Sequence, residues 1–111
     1  MNITIRDRGG VKILDLKGRI TLGAGEMALR QSLQEVLGEG ATQIVLNLKD
    51  VTTVDSTGIG ELVGSYTTTT NRGAKLKLAN LPPKMQDILT ITQLITVFDV
   101  YDTEDDAVAS F

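Results

Sequence analysis

The sequence has no cysteine, no histidine and no tryptophan. Without thiols or imidazoles it has no disulfide framework, no thiol nucleophile, no zinc site of the usual ligand set and no histidine for acid–base catalysis. Lack of cysteine also suits a reducing compartment. Aromatic residues are sparse, two Phe and two Tyr, and no run of Lys or Arg interrupts a chain of net charge −3. Direct nucleic-acid binding draws on a basic footprint, usually with stacking aromatics. Any part in transcription would therefore act through another protein. Proline occurs only twice and no tract is of low complexity, which argues against disorder beyond the extreme ends. No apolar run reaches the length of a membrane helix. Met1-Asn2-Ile3-Thr4-Ile5-Arg6-Asp7 lacks the apolar stretch of a secretion signal. The expectation is a cytoplasmic protein with one domain over residues 1–111, needing neither cofactor nor metal. Its 41% hydrophobic residues suffice for a single packed core.

Periodicity supplies the elements. Val11, Ile13, Leu14 and Leu16 mark a strand over Val11–Leu16, with Ile3–Arg6 as its antiparallel partner across Gly9-Gly10 and with Gly18 as its end. Leu29, Leu33, Val36 and Leu37 fall at helical spacing in Glu26–Leu37, before the stop signals Gly38 and Gly40. The apolar run in Gln43–Leu48 reads as a strand buried on both faces. Asp50 to Asp55 reads as a turn into a second helix, Ser56 to about Thr70, whose inward face is Ile59, Leu62, Val63 and Tyr66. Lys75–Ala79 is a fourth strand. Pro82-Pro83 opens a third helix with Met85, Ile88 and Leu89 inward. Val97–Tyr101 is a last strand, and Thr103 caps a short acidic helix whose Val108 and Phe111 pack inward. The order β β α β α β α β α implies an α/β fold: a mostly parallel sheet with an antiparallel N-terminal edge hairpin, covered by helices.

One segment stands out, Val54-Asp55-Ser56-Thr57-Gly58-Ile59-Gly60-Glu61-Leu62, which sets a serine at a strand-to-helix junction. Ser56 reads in two ways. Either it serves only as a cap for the helix, or its hydroxyl accepts a phosphate. A phosphate of about −1.5 to −2 charge is tolerated at a helix N-terminus. Beside Asp55 and Glu61 it would add like charge to a contact surface. Gly58, Gly60 and Gly64 are expected on the outward face, where each costs about 1 kcal/mol against alanine and where a closely approaching partner would offset that cost. Thr57 reads as a second phosphoacceptor or, by preference, as a cap of the helix. Thr67 to Thr70 is expected to fray, and Met27 and Met85 to fill core space. Asp102, Glu104, Asp105 and Asp106 lack the spacing of a calcium loop and read as capping and solvated acids.

Asp55-Ser56-Thr57-Gly58-Ile59-Gly60 resembles the Asp-Ser-[Ser/Thr]-Gly-[Leu/Ile]-Gly signature of STAS-domain anti-sigma factor antagonists. Ile44 to Leu48, Val51 and Val54 resemble the strand leading into it. Asn71-Arg72-Gly73 and Leu76 to Leu81 resemble the family's next turn and strand, and Val97-Phe98 its late strand, so the resemblance spans nearly the whole chain. It implies the STAS fold and a bacterial partner-switching cycle. The unphosphorylated antagonist binds an anti-sigma factor that is also a serine kinase, and the sigma factor is freed. That kinase, holding its own ATP and Mg²⁺, phosphorylates the serine. A PP2C-type phosphatase restores the binding form. Carried onto this chain, the phosphoacceptor is Ser56, and Asp55, Thr57, Gly58, Gly60 and Glu61 shape the contact. Many members read Gly-Glu-[Leu/Ile]-Asp where this chain has Gly18-Arg19-Ile20-Thr21. Arg19 and Thr21 therefore alter the charge beside the phosphoacceptor. Arg19 is then either a solvated loop charge or a partner for the phosphate. Two other classes compete: a structural or sensory STAS subunit of a signalling or lipid-transport complex, and a serine hydrolase. The hydrolase ranks last, because no histidine is present to activate Ser56. Glycine-rich faces suit any close partner, a second copy included.

Overall fold

The computed structural model describes all 111 residues. Its elements are β1 (Asn2–Arg8), β2 (Val11–Ile20), α1 (Ala24–Gly38), β3 (Gln43–Val54), α2 (Ser56–Asn71), β4 (Lys75–Ala79), α3 (Pro83–Ile91), a 3₁₀ turn (Leu94–Thr96), β5 (Asp99–Tyr101) and α4 (Glu104–Ala109). One five-stranded sheet runs in the order β1-β2-β3-β4-β5. β1 pairs antiparallel with β2, and every other pairing is parallel. The expected α/β order and mixed sheet are thus what the chain forms.

Side-chain alternation along the strands divides the core in two. Leu14 and Leu16 of β2, Ile44, Leu46 and Leu48 of β3, and Leu76 and Leu78 of β4 join one large cluster. Leu29, Leu33, Val36 and Leu37 of α1, Leu62 of α2, and Met85 and Leu89 of α3 complete it. Val11, Ile13, Val45 and Ala79 face the other way and meet Ala107 of α4, with Tyr101, Val108 and Phe111 packed alongside. Lys77 lies on this second side. Its ammonium donates to Ser110 Oγ at 2.7 Å and sits 4.6 Å from the centre of the Phe111 ring. Glu104 accepts from Arg6 and Arg8 of the edge hairpin and from Asn47 Nδ2, and so ties α4 to the sheet.

Two strands run further than their sequence pattern. Gly18 does not end β2; it carries the chain through a bulge at φ 112°, a conformation that side-chain-bearing residues avoid. Beyond it Gly18, Arg19 and Ile20 pair with Val51, Thr53 and Val54. Residues 50–54, expected as a turn, are therefore the far end of β3. Parallel pairing with β2 holds one edge of their backbone, and buried Val51 anchors them.

Other expectations are corrected as well. Thr67 to Thr70 does not fray. α2 continues to Asn71, Thr69 is fully buried, and the amides of Arg72, Gly73 and Ala74 close the helix end. Met27 is not core; it is half exposed on α1, whereas Met85 is buried. The last strand begins only at Asp99. Val97 follows the 3₁₀ turn and lies exposed, while Phe98 packs edge-on against Tyr66, their ring centres 5.7 Å apart.

Candidate functional site

The junction of β3 and α2 is built on the end of β2. Asp55 caps α2: its Oδ1 accepts from the Gly58 amide at 2.8 Å. Its Oδ2 accepts from the Leu22 amide, in the loop between β2 and α1, at 3.1 Å. The Asp55 amide in turn donates to the Ile20 carbonyl at 3.4 Å. One residue thus fastens both the start of α2 and the β2–α1 loop to the same strand end.

Two glycines bring the helices close enough. A β-carbon on Gly58 would lie 1.8 Å from the Ile20 carbonyl oxygen, and one on Gly25 of α1 would lie 2.2 Å from that of Arg19. Gly58 is buried and faces the sheet, so the expectation of three outward glycines fails for it. It serves backbone contact within the fold. Gly60 and Gly64 are the exposed ones; around Gly60 no atom lies within 4 Å of where a β-carbon would stand.

Ser56 is the first residue of α2 and is exposed. Because Asp55 provides the cap, the Ser56 hydroxyl is not needed to start the helix, and the capping reading of this serine falls. Thr57 does not cap either; it is half-buried one residue further on. An apolar hollow opens beside Ser56, lined by Val54, Ile59, Ile88 and Thr92. Leu22 stands 73% exposed on the loop that Asp55 holds.

Glu61 is not a free charge. Its side chain is 11% exposed and is held by Arg30 of α1, Nε to Oε1 at 3.1 Å and Nη2 to Oε2 at 3.3 Å. The two acids beside which a phosphate is expected to add like charge are each held, Asp55 in its ionised form by backbone amides and Glu61 by Arg30. Arg19 lies on β2 and not in a loop; it is exposed and forms no ion pair. Thr21 is half-buried, and its carbonyl accepts from the Glu26 amide at 3.1 Å at the start of α1. Sequence reasoning missed Leu22, Gly25 and Arg30. Their only linear signals were the glycine spacing of Gly23 and Gly25 and the charge of Arg30.

Hydrogen bonds from the Gly58 and Leu22 amides stabilise the ionised Asp55 and hold its pKa below the ordinary carboxylate range. In acid the unfolded chain therefore takes up its proton first. Asp55 contributes stability above the ordinary carboxylate pKa, and this is lost as pH falls through the lower folded value. Urea midpoints measured from neutral pH downward should begin to drop near about pH 5. The acid limb should be shallower for Asp55→Asn. Superimposable limbs would mean that the carboxylate is not held in this way.

A STAS domain model matches residues 2–107. The chain belongs to the STAS domain family. It is 25% identical over 104 residues to the anti-sigma F factor antagonist of Paenibacillus polymyxa, covering 94% of this chain and 89% of that one. It is 29% identical over 100 residues to the anti-sigma-B factor antagonist of Bacillus subtilis, covering 90% of each. A crystal structure from Thermotoga maritima superposes with a TM-score of 0.88 at 23% identity, over 97% of this chain and 92% of that one, a likeness of fold. No helix is long and apolar enough to cross a membrane.

Proposed function

We propose that this chain is an anti-sigma factor antagonist, a binding module whose partner surface is centred on Ser56 and is switched off when Ser56 is phosphorylated. The observation that carries the reading is the division of labour between Asp55 and Ser56. Asp55 caps α2, and Ser56 is left exposed at the helix start with no structural task. The names of the two relatives support the antagonist part of this reading. In this reading the unphosphorylated chain binds an anti-sigma factor with serine-kinase activity, and the sigma factor is released. Phosphorylation by that kinase ends the contact, and a PP2C-type phosphatase restores it. Thr57, Gly60 and the hollow beside Ser56 supply the surface. Gly58 and Asp55 shape it from behind. Arg19 and Thr21 tune which kinase is accepted.

The test is displacement. Purified chain is added to a preformed complex of the anti-sigma factor and sigma factor from the same genome. The expected result is release of free sigma factor in proportion to added chain, resolved by size-exclusion chromatography. An intact complex at saturating chain, with the chain eluting alone, would overturn the reading.

A further inference from the structure

We propose that Asp55 is a positioning residue for the phosphoacceptor: its carboxylate clamps the β2–α1 loop to the first turn of α2, so that Leu22 and Ser56 meet the partner kinase as one rigid surface. The inference rests on the reading of Ser56 as the phosphoacceptor.

The geometry separates two tasks of one side chain. Oδ1 serves the helix by accepting from the Gly58 amide, the ordinary work of a capping aspartate. Oδ2 does something a cap does not require. It reaches the amide of Leu22, 33 residues away in sequence, at 3.1 Å. The loop is held from both sides. Before it, Ile20 is buried and its carbonyl receives the Asp55 amide. After it, Gly25 lies against the Arg19 carbonyl. Between these anchors Leu22 carries an exposed leucine side chain on a fixed backbone. A side chain carried on a backbone that is already held costs less ordering on binding than one on a free loop, which favours its use as a contact. The Leu22 amide lies one hydrogen bond from the residue preceding Ser56, and Ser56 itself borders the apolar hollow lined by Val54, Ile59, Ile88 and Thr92. A kinase that must bring Ser56 to its phosphate donor thus has a fixed apolar contact beside the hydroxyl. In the transfer the Ser56 Oγ bonds to the γ-phosphorus of the kinase's ATP, the bond from that phosphorus to the β–γ bridging oxygen breaks, ADP leaves, and the hydroxyl proton passes to a base on the kinase or to water.

Asparagine discriminates the two tasks, because its carboxamide has one acceptor oxygen and caps a helix about as well as aspartate. In Asp55→Asn the Gly58 bond is retained and the Leu22 bond is lost. Hydrogen–deuterium exchange of the free chain should show the Leu22 amide exchanging at least about tenfold faster, with the amides of β3 and the middle of α2 unchanged. Steady-state phosphorylation by the kinase, read by mass, should show KM raised about tenfold and kcat within about twofold. Leu22→Ser should raise KM by a similar factor, with its backbone bond to Asp55 kept. The double variant should be no worse than either single one, since both remove one contact. Unchanged exchange at Leu22, or effects of the two substitutions that multiply, would overturn the clamp. Absence of any phosphorylation of the unaltered chain would overturn the phosphoacceptor reading instead, and the exchange result would still decide whether the clamp exists.

Discussion

Replacing Gly58 by alanine is expected to destabilise the protein by more than about 3 kcal/mol, at or beyond the upper end for overpacking a core. The added β-carbon would stand 1.8 Å from the Ile20 carbonyl oxygen and 2.9 Å from Val54 Cγ2. Neither neighbour gives way easily. Ile20 is fully buried in β2, and its carbonyl already accepts from the Asp55 amide. The only relief is to move the first turn of α2 off the strand, which breaks the Asp55 cap and exposes part of the core around Leu62. Domains of this size have about 5–15 kcal/mol of stability in all, so the variant should be largely unfolded in moderate urea. Gly60→Ala supplies the contrast. Its β-carbon meets nothing within 4 Å, and alanine is favoured over glycine in a helix interior by about 1 kcal/mol. That variant should be as stable as the parent or more so. Equilibrium urea curves for the pair decide the matter: equal midpoints would mean that Gly58 does not hold α2 against β2.

The second large effect is on binding. Ser56→Asp is expected to leave the far-ultraviolet circular dichroism spectrum unchanged and to weaken the anti-sigma complex about a thousandfold. Ser56→Ala should keep both fold and affinity. Retention of the fold is a matter of position. Ser56 begins α2, where free amide groups and the positive end of the helix dipole accept negative charge. Loss of binding is a matter of exposure, because new charge there must be desolvated against the partner. The new charge stands beside Asp55, which stays ionised on its amides, whereas Glu61 is paired with Arg30. The cost on binding comes from burying this added negative charge and from whatever acids the partner presents. Titration calorimetry of the three proteins reads the difference. Near-equal affinities of Ser56→Asp and the parent would remove Ser56 from the interface.

The elements that sequence periodicity describes well are those whose burial follows their own repeating pattern. In α1 Leu29, Leu33 and Val36 are spaced for one helix face; in β4 Leu76 and Leu78 alternate onto one side of the sheet, and Lys75–Ala79 has the bounds read from the sequence. The far halves of β2 and β3 escaped because Lys49 to Thr53 is mostly polar and Gly18 resembles a terminator. Only their mutual pairing makes both segments strands. Thr69 looked like a weak helix former and is buried by tertiary packing. The site was legible as a stretch of sequence but not as geometry. Nothing local distinguishes Gly58 from Gly60, since their difference is the distance to Ile20, a residue on another strand. The bond from Leu22 to Asp55 and the pair of Arg30 with Glu61 likewise join residues more than thirty positions apart. The motif pointed to the serine; that its neighbour, not the serine itself, caps the helix required the fold.

The most direct measurement is mass spectrometry of the chain after incubation with ATP, Mg²⁺ and the serine-kinase anti-sigma factor of its own genome. The predicted result is one added phosphate, mapped to Ser56 and absent from Ser56→Ala. A chain that binds this kinase tightly yet stays unmodified, or carries its phosphate on Thr57 or elsewhere, would contradict the phosphoacceptor role of Ser56.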